Sequence, residues 1–432
     1  MIRAFRRRDR RCDMTVKGTI AALAAAVMMA AAFPVGAQEL TLPEAERLAL
    51  RDDPVMAELG ARALAFDEQS VADGQLPDPK LKLGVMNLPV DGFDFTQEAM
   101  TQAQIGLRQT FPRGDTLALR TERGGALAGA ERAWQRDEAR KIVRATRLSW
   151  LEAFYWTRAA IILGESQMAV ENLIQVSQFL YSTGRQNQQD VIRAELEYSL
   201  LEDRLVGIAA KRDVARASLA KWIGADGARP LPVTLPELAE PRPLADVLAA
   251  LAGHPSIAAE DRLIQARQSD IDLARQAYQP EWNVDLTYGF RGGEDFGRGD
   301  RADFLSVMVT MDLPFFTERR QDRRLSASKH RAAAALNRRD DRLRELRRVL
   351  ESEHAAWARL GERDRLYEHT VVQRAADNYD ASLRAYRNDV SDFATVMRAQ
   401  LTEIDTRLQW LRVRVDRAKA QAKLLYLEGR DR

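Results

Sequence analysis

Hydrophobic and polar residues alternate in four short stretches of this chain, and the alternation predicts β-strands. Residues 80–88, 101–111, 281–290 and 303–313 place apolar or aromatic side chains at every second position, which is the period of a strand with one apolar face. Each stretch is about ten residues long, the length that a tilted strand needs to cross a bilayer. A soluble sheet packed on a core produces the same alternation, so the pattern alone leaves both interpretations open.

Two stretches without proline predict long helices. No proline occurs between Pro112 and Pro230, or after Pro314, and both stretches are rich in strong helix formers. One helix over 114–182 would be about 100 Å long at ~1.5 Å per residue. A helix of that length cannot bury itself on a compact globule, so it implies a coiled-coil-like assembly. We expect helical hairpins over 114–225 and 317–428.

The same order of elements occurs twice in the chain. Residues 107–112 align with 309–314, and the spacing from Pro54 to Pro79 equals that from Pro255 to Pro280. We therefore predict a first repeat over 38–229 and a second over 244–432. A proline-rich linker, residues 230–243, joins them. A repeat of this length indicates a duplicated half-protein and not a solenoid unit.

Four strands per chain cannot close a membrane barrel, and an open sheet edge in lipid leaves backbone groups unsatisfied. Two chains would supply eight strands around a filled interior, and three chains would supply twelve around an open lumen. The polar strand faces favour the open lumen. The predicted fold is mainly α with a small β part: a long α-helical coiled-coil barrel plus four transmembrane β-strands per chain that contribute to a trimeric 12-stranded β-barrel.

The N-terminus has the pattern of a secretory signal peptide over residues 1–37. A basic segment precedes an apolar run over 18–33, and small residues allow cleavage between Ala37 and Gln38. Met14 is an alternative start to Met1. The single cysteine, Cys12, precedes the apolar run, so it cannot be a lipid attachment site and the mature chain has no thiol.

Charge and motifs exclude several classes of function. The 65 Lys and Arg nearly balance the 63 Asp and Glu, for a net charge of +2, which gives no reason to expect a nucleic acid as partner. No nucleophile elbow, phosphate loop or zinc-protease motif occurs. The four histidines are scattered along the sequence. We predict no catalytic, cofactor-binding or metal-binding residues, and no enzyme.

Two turn motifs resemble those of the TolC-like outer-membrane efflux family. In that family Tyr-x-x-Gly and Asp-Val-Leu-x-Ala are separated by five residues. Here residues 181–184 read Tyr-Ser-Thr-Gly, and after five residues 190–194 read Asp-Val-Ile-Arg-Ala. Residues 392–400 read Asp-Phe-Ala-Thr-Val-Met-Arg-Ala-Gln, which resembles the heavy-metal (copper/silver or cobalt/zinc/cadmium) branch. The sequence departs from the family by having Asp389 where glycine is usual.

The resemblance implies an exit duct in the outer membrane of a Gram-negative bacterium, with a helical extension through the periplasm. It implies a homotrimer in outer-membrane lipid that works with a periplasmic adaptor protein and an inner-membrane RND-type pump. The exported substrate would be heavy-metal ions, with drugs or other small molecules as the alternative. A soluble periplasmic coiled-coil adaptor or scaffold is the alternative from a different class, although it has no need for an apolar strand face.

The resemblance also places the turns of the two hairpins at the periplasmic tip, where the duct opens. Aspartates there would form a ring that favours cations, whereas the plainer interpretation is ordinary helix-turn polarity. The two tyrosines are expected to pack the turns, with contact to the adaptor as a second role. The tip and gate candidates are Tyr181, Gly184, Arg185, Asp190, Tyr386, Arg387, Asp389 and Asp392.

Overall fold

The computed structural model describes residues 38–185, 187–388 and 390–429. The predicted signal peptide, including Ala37, lies outside the described residues, and Gln38 is the first residue inside them. The described residues from Glu39 onward form one compact unit. None of the described helices contains an apolar stretch long enough to cross a membrane.

The described chain is mainly helical. Two short 3₁₀ segments, Gly224–Ala228 and Leu251–Gly253, and a π-turn, Tyr367–Val371, accompany the α-helices. The α-helices are α1 (Leu42–Leu50), α2 (Pro54–Asp73), α3 (Thr116–Ser182), α4 (Gln188–Ile223), α5 (Leu244–Ala250), α6 (Pro255–Gln276), α7 (Gln321–Leu366), α8 (Val372–Arg387) and α9 (Phe393–Leu427).

Helix starts differ between the two halves of the chain. The Asp53 carboxylate accepts from the backbone N–H groups of Val55 and Met56 and so caps α2. At the corresponding start of α6, the ring of His254 accepts from the Ser256 N–H instead. The sequence favours Thr41 as the cap of α1, but its side chain makes no capping hydrogen bond.

The strands of the described residues are β1 (Lys80–Met86), β2 (Gln102–Phe111), β3 (Trp282–Phe290), β4 (Glu294–Asp295), β5 (Gly299–Asp300) and β6 (Phe304–Met311). Four of them form one antiparallel sheet in the order β1-β2-β3-β6, and β4 and β5 form a separate two-stranded ribbon in the loop before β6. The central pair joins the two halves of the sequence, with Phe111 opposite Trp282 and Ala103 opposite Phe290.

The long helices α3 and α7 follow strands that finish at the same end of the sheet, where Phe111 and Met311 both pair with Trp282. Helix α3 contains 67 residues, about 100 Å at ~1.5 Å per residue. It folds back into α4 to make the first hairpin. The second hairpin consists of α7, the π-turn and α8 on one side and α9 on the other. The π-turn was not expected from the sequence.

Two hydrophobic cores hold these helices together. The main core lines α3 from Ile142 to Leu180 and includes residues of α1, α4 and α9, together with Tyr386 of α8. The second core packs Leu346 and Leu350 of α7 against the start of α6 and the end of α9. Because α9 contributes to both cores, it fixes them relative to each other.

Hydrogen bonds attach the segment before α1 to α3, and the linker between the halves to α9. Trp150, fully buried on α3, donates its Nε1–H to the Leu40 carbonyl at 3.0 Å. The Leu40 N–H donates in turn to the Pro230 carbonyl at 2.8 Å. On α9, the Gln421 side chain donates to the Leu238 carbonyl at 3.0 Å. These hydrogen bonds satisfy backbone groups in segments that have no regular structure.

Candidate helical tip

The first hairpin turns at Gly184 with the geometry of a helix C-cap. The Gly184 N–H donates to the Tyr181 carbonyl and the Arg185 N–H donates to the Leu180 carbonyl, both at 3.0 Å. This pair of bonds is a Schellman motif, which needs a residue with positive φ after the helix. Gly184 meets that need with a φ of +71°. Tyr181 is 47% exposed at this turn, although it was expected to pack against it, and Arg185 is exposed.

The second hairpin turns in a similar way but buries its tyrosine. The Val390 N–H donates to the Ala385 carbonyl at 2.9 Å, the same spacing as in the first turn. Tyr386 is fully buried, with its ring 5.9 Å from that of Phe393 in an edge-to-face contact. Its hydroxyl lies 3.2 Å from the Ser177 hydroxyl of α3, so it links the two hairpins. Arg387 is exposed, and Asp389 lies outside the described residues.

The pKa values of two of the predicted aspartates are shifted in opposite directions. Asp392 caps α9, and its hydrogen bonds with Thr395 hold the pKa of the carboxyl below its usual value. Asp190 lies in the first turn of α4, where burial raises the pKa of its carboxyl. The charge of Asp392 raises that pKa further, and Arg193 opposes it. The carboxylates at the two hairpin ends are therefore near enough for the charge of one to act on the other, and the charge of Arg193 acts on both.

Residues that sequence reasoning did not select complete the tip. Ser177 is almost fully buried on α3 and donates to the Leu173 carbonyl at 3.0 Å. Such a serine has no distinguishing sequence signal. Phe393 stands inside the Asp-Phe motif already quoted, so the motif was a signal for its role. No group of three or more potential metal-ligating side chains occurs among the described residues.

The sheet has one polar and one apolar face. On the polar face, Asp285 is only 4% exposed. It pairs with Arg108 of the neighbouring strand at 2.8 Å and with Lys82 of β1. On the opposite face the large apolar side chains are exposed, including Leu83 at 72% and Leu305 at 69%. An uncovered apolar face of this size calls for a further partner.

A sequence comparison finds a family match in the second half of the chain. Residues 248–430, which contain the end of α5 and all of α6 to α9, match the profile described as outer membrane efflux protein. Over these residues the chain is similar to outer membrane efflux proteins. Among curated proteins, no sequence matches it.

Several solved structures share the fold of this chain. The outer-membrane channel OprN aligns with a TM-score of 0.75 at 17% identity, over 90% of this chain and 89% of OprN. The outer membrane protein VceC of Vibrio cholerae aligns at 0.75 and 15%, over 90% and 96% of the two chains. CusC, solved in a study of transmembrane channel formation, aligns at 0.76 and 14%, over 91% and 93%. At these identities the likeness establishes the fold.

Proposed function

We propose that three copies of this chain form a continuous duct, a 12-stranded barrel in the outer membrane extended by a helical tube through the periplasm. The observation that carries this proposal is the four-stranded sheet. Its outer strands, β1 and β6, each have one unpaired edge among the described strands, and its apolar face is exposed. Pairing β6 of one chain with β1 of the next removes every edge and turns the apolar face to lipid.

The exposed face of α4 supports the same assembly for the helical part. Helix α4 packs on α3 and has little contact with the second hairpin, so it is an edge helix. Exposed apolar side chains nevertheless recur along it: Ile192, Leu196, Leu200, Val206 and Val214. A stripe of this kind at helical spacing is typical of a helix that packs against another helix. A neighbouring chain in the tube would cover it.

The duct would export heavy-metal ions delivered by an inner-membrane RND-type pump and a periplasmic adaptor protein. The Asp-Phe motif at 392–400 and its resemblance to the heavy-metal branch support this substrate. A duct only needs to conduct its substrate, so a dedicated metal site is unnecessary. Export of drugs or other small molecules is the second candidate.

The tip would be the gate of this duct. Asp190 and Asp392 lie near each other at the ends of the two hairpins, and Asp389 belongs to the second turn by sequence. Three copies of each would line a narrow opening with carboxylates, which attract cations. Tyr386 would hold the closed form through Ser177, while the exposed Tyr181, Arg185 and Arg387 would face the adaptor.

Membrane fractionation tests the duct. We expect the mature protein in the outer-membrane fraction, as a trimer whose gel migration changes when it is heated in mild detergent. Recovery as a soluble periplasmic monomer would contradict the proposal and favour a scaffold.

Gene deletion tests the substrate. We expect a strain without the protein to become more sensitive to copper, silver, zinc or cobalt, with drug sensitivity unchanged. Unchanged metal tolerance with the partner pump intact would remove the metal assignment, and a change in drug sensitivity alone would favour the second candidate.

Replacing Asp190, Asp389 and Asp392 by alanine tests the carboxylate gate. We expect a lower cation-to-anion permeability ratio in planar lipid bilayers, because the ring loses its negative charge. Replacing Asp52, an exposed aspartate far from the tip in sequence, by alanine is the control. An unchanged ratio in the tip variant would mean that these residues only cap and solvate the turns.

A further inference from the structure

A cavity lies where α3 meets α1, the linker between the halves and the end of α9. Its volume is about 450 Å³, within the range of ~300–1,000 Å³ that is typical of small-molecule sites. The apolar part of its wall includes Leu50, Val143, Ala239, Ala422 and Leu425. A wall of this kind suits an alkyl chain.

Four charged side chains share the cavity with this apolar wall. Arg140, Arg144 and Arg147 belong to α3, and Glu46 belongs to α1. Residues three and four positions apart lie on one face of a helix, which is why the three arginines reach the same cavity. Three cations and one carboxylate leave this set with a net charge of +2. The cavity therefore favours an anionic ligand.

Glu46, the carboxylate of this set, is already paired. Arg147 donates to both of its oxygens, at 2.7 Å and 3.2 Å, and Glu46 is only 5% exposed. A bidentate pair of this kind is geometrically fixed, so it holds α1 against α3. It also leaves Glu46 unable to balance the charge of Arg144.

Arg144 keeps its charge available to a ligand. Its guanidinium lies over the ring of Tyr426, 4.3 Å from the ring centroid, and it forms no ion pair with a carboxylate of the described residues. A guanidinium stacked on an aromatic ring keeps its N–H groups at its edge, where they can donate to both oxygens of a carboxylate.

Tyr426 fixes the position of that guanidinium. Its side chain is buried, and its hydroxyl donates to the carboxylate of Asp137 at 2.9 Å. Asp137 is fully buried and pairs with Lys141 at 2.8 Å. Because these contacts hold the ring in place, the stacked Arg144 is ordered before a ligand arrives, and binding loses little side-chain entropy.

We propose that this cavity binds an amphiphile with one alkyl chain and a carboxylate head, such as a fatty acid. The head pairs with Arg144, and the chain lies along Val143 and Leu425. One stacked guanidinium matches the single charge and the planar geometry of one carboxylate. The site is formed within one chain and needs no conduction, so it goes beyond the proposed duct and does not depend on it.

Calorimetric titration of the purified protein with octanoate tests the site, with a titration into detergent buffer alone as the blank. We expect saturable binding of one octanoate per chain. Arg144→Gln should weaken this binding at least about tenfold, because a charge-assisted pair is lost. Arg344→Gln, which removes an exposed arginine of α7, should bind like wild type. Equal affinities of wild type and Arg144→Gln, or no saturable binding to wild type, would overturn the proposal.

Two further ligands of the same chain length give a test on the wild type that does not depend on a variant folding. Octanoate should bind at least about tenfold more tightly than octanol, because octanol has no charge to pair with Arg144. Octylammonium should bind more weakly still, because the cavity repels a cation. Equal affinities for octanoate and octanol would mean that the cavity accepts any alkyl chain and would refute the carboxylate site.

Residues 430–432 of the same chain are the alternative occupant of the cavity. Gly429 is the last described residue, and a Cβ atom added there would lie 3.9 Å from the guanidinium of Arg140. Removing residues 430–432 should leave the affinity for octanoate unchanged. Binding that appears only after their removal would mean that the chain fills its own cavity, which contradicts the proposal.

Discussion

Replacing Tyr386 by phenylalanine removes one hydroxyl from the tip and leaves the buried ring against Phe393. The substitution removes the 3.2 Å contact with Ser177. Ser177 still donates to the Leu173 carbonyl, so its donor stays satisfied. The loss of this contact costs the closed form about 1 kcal/mol, the contribution of one ordinary hydrogen bond. For three chains that open together this amounts to about 3 kcal/mol, a shift of roughly a hundredfold toward the open form.

Single-channel recording in planar lipid bilayers measures this shift as the open probability. The matched control is Tyr181→Phe, which removes the same hydroxyl from the exposed tyrosine of the first turn and should leave the open probability at the wild-type level. Equal values for wild type and both variants would refute the reasoning, because the Tyr386 hydroxyl would then contribute nothing to closure. A rise in both variants would contradict the assignment to one hairpin.

Three further perturbations test the regions beyond the tip. Burial lowers the pKa of His254 from its usual 6.5, so the imidazole takes up a proton on unfolding when the pH is below 6.5. The stability of the folded protein should therefore fall as the pH drops from 7.5 to 5.5. Thermal unfolding of His254→Asn should show much less of this pH dependence. Asp285→Asn leaves two strand cations without their carboxylate and should lower the temperature at which trimers dissociate on gels, whereas Thr287→Ala on the same face should not. Trp150→Phe leaves the Leu40 carbonyl without its buried donor, and denaturant unfolding should show a loss of about 1–3 kcal/mol.

Patterns that repeat over many residues made much of this fold predictable. The alternation of apolar and polar residues located the four strands of the sheet, and the lack of proline after Pro112 located α3. Both patterns are reliable because they extend over every residue of an element. The π-turn was not predictable, since 367–371 contains no proline or glycine. Tyr181 and Tyr386 look equivalent in sequence, and only the packing of the second hairpin shows that Tyr386 is buried. The role of Ser177 can be recognised only in the structure, where its hydroxyl contacts the buried hydroxyl of Tyr386.

The central pairing of β2 with β3 has a consequence for how the protein enters the membrane. Nine residue pairs join these strands within one chain, so a single chain can complete its sheet before it meets another. Only the outer edges of β1 and β6 then await partners. A lone chain that entered lipid would expose both edges to a solvent that cannot hydrogen-bond them. We therefore expect biogenesis to join the three chains before or during insertion, so that no intermediate with a free edge resides in the bilayer.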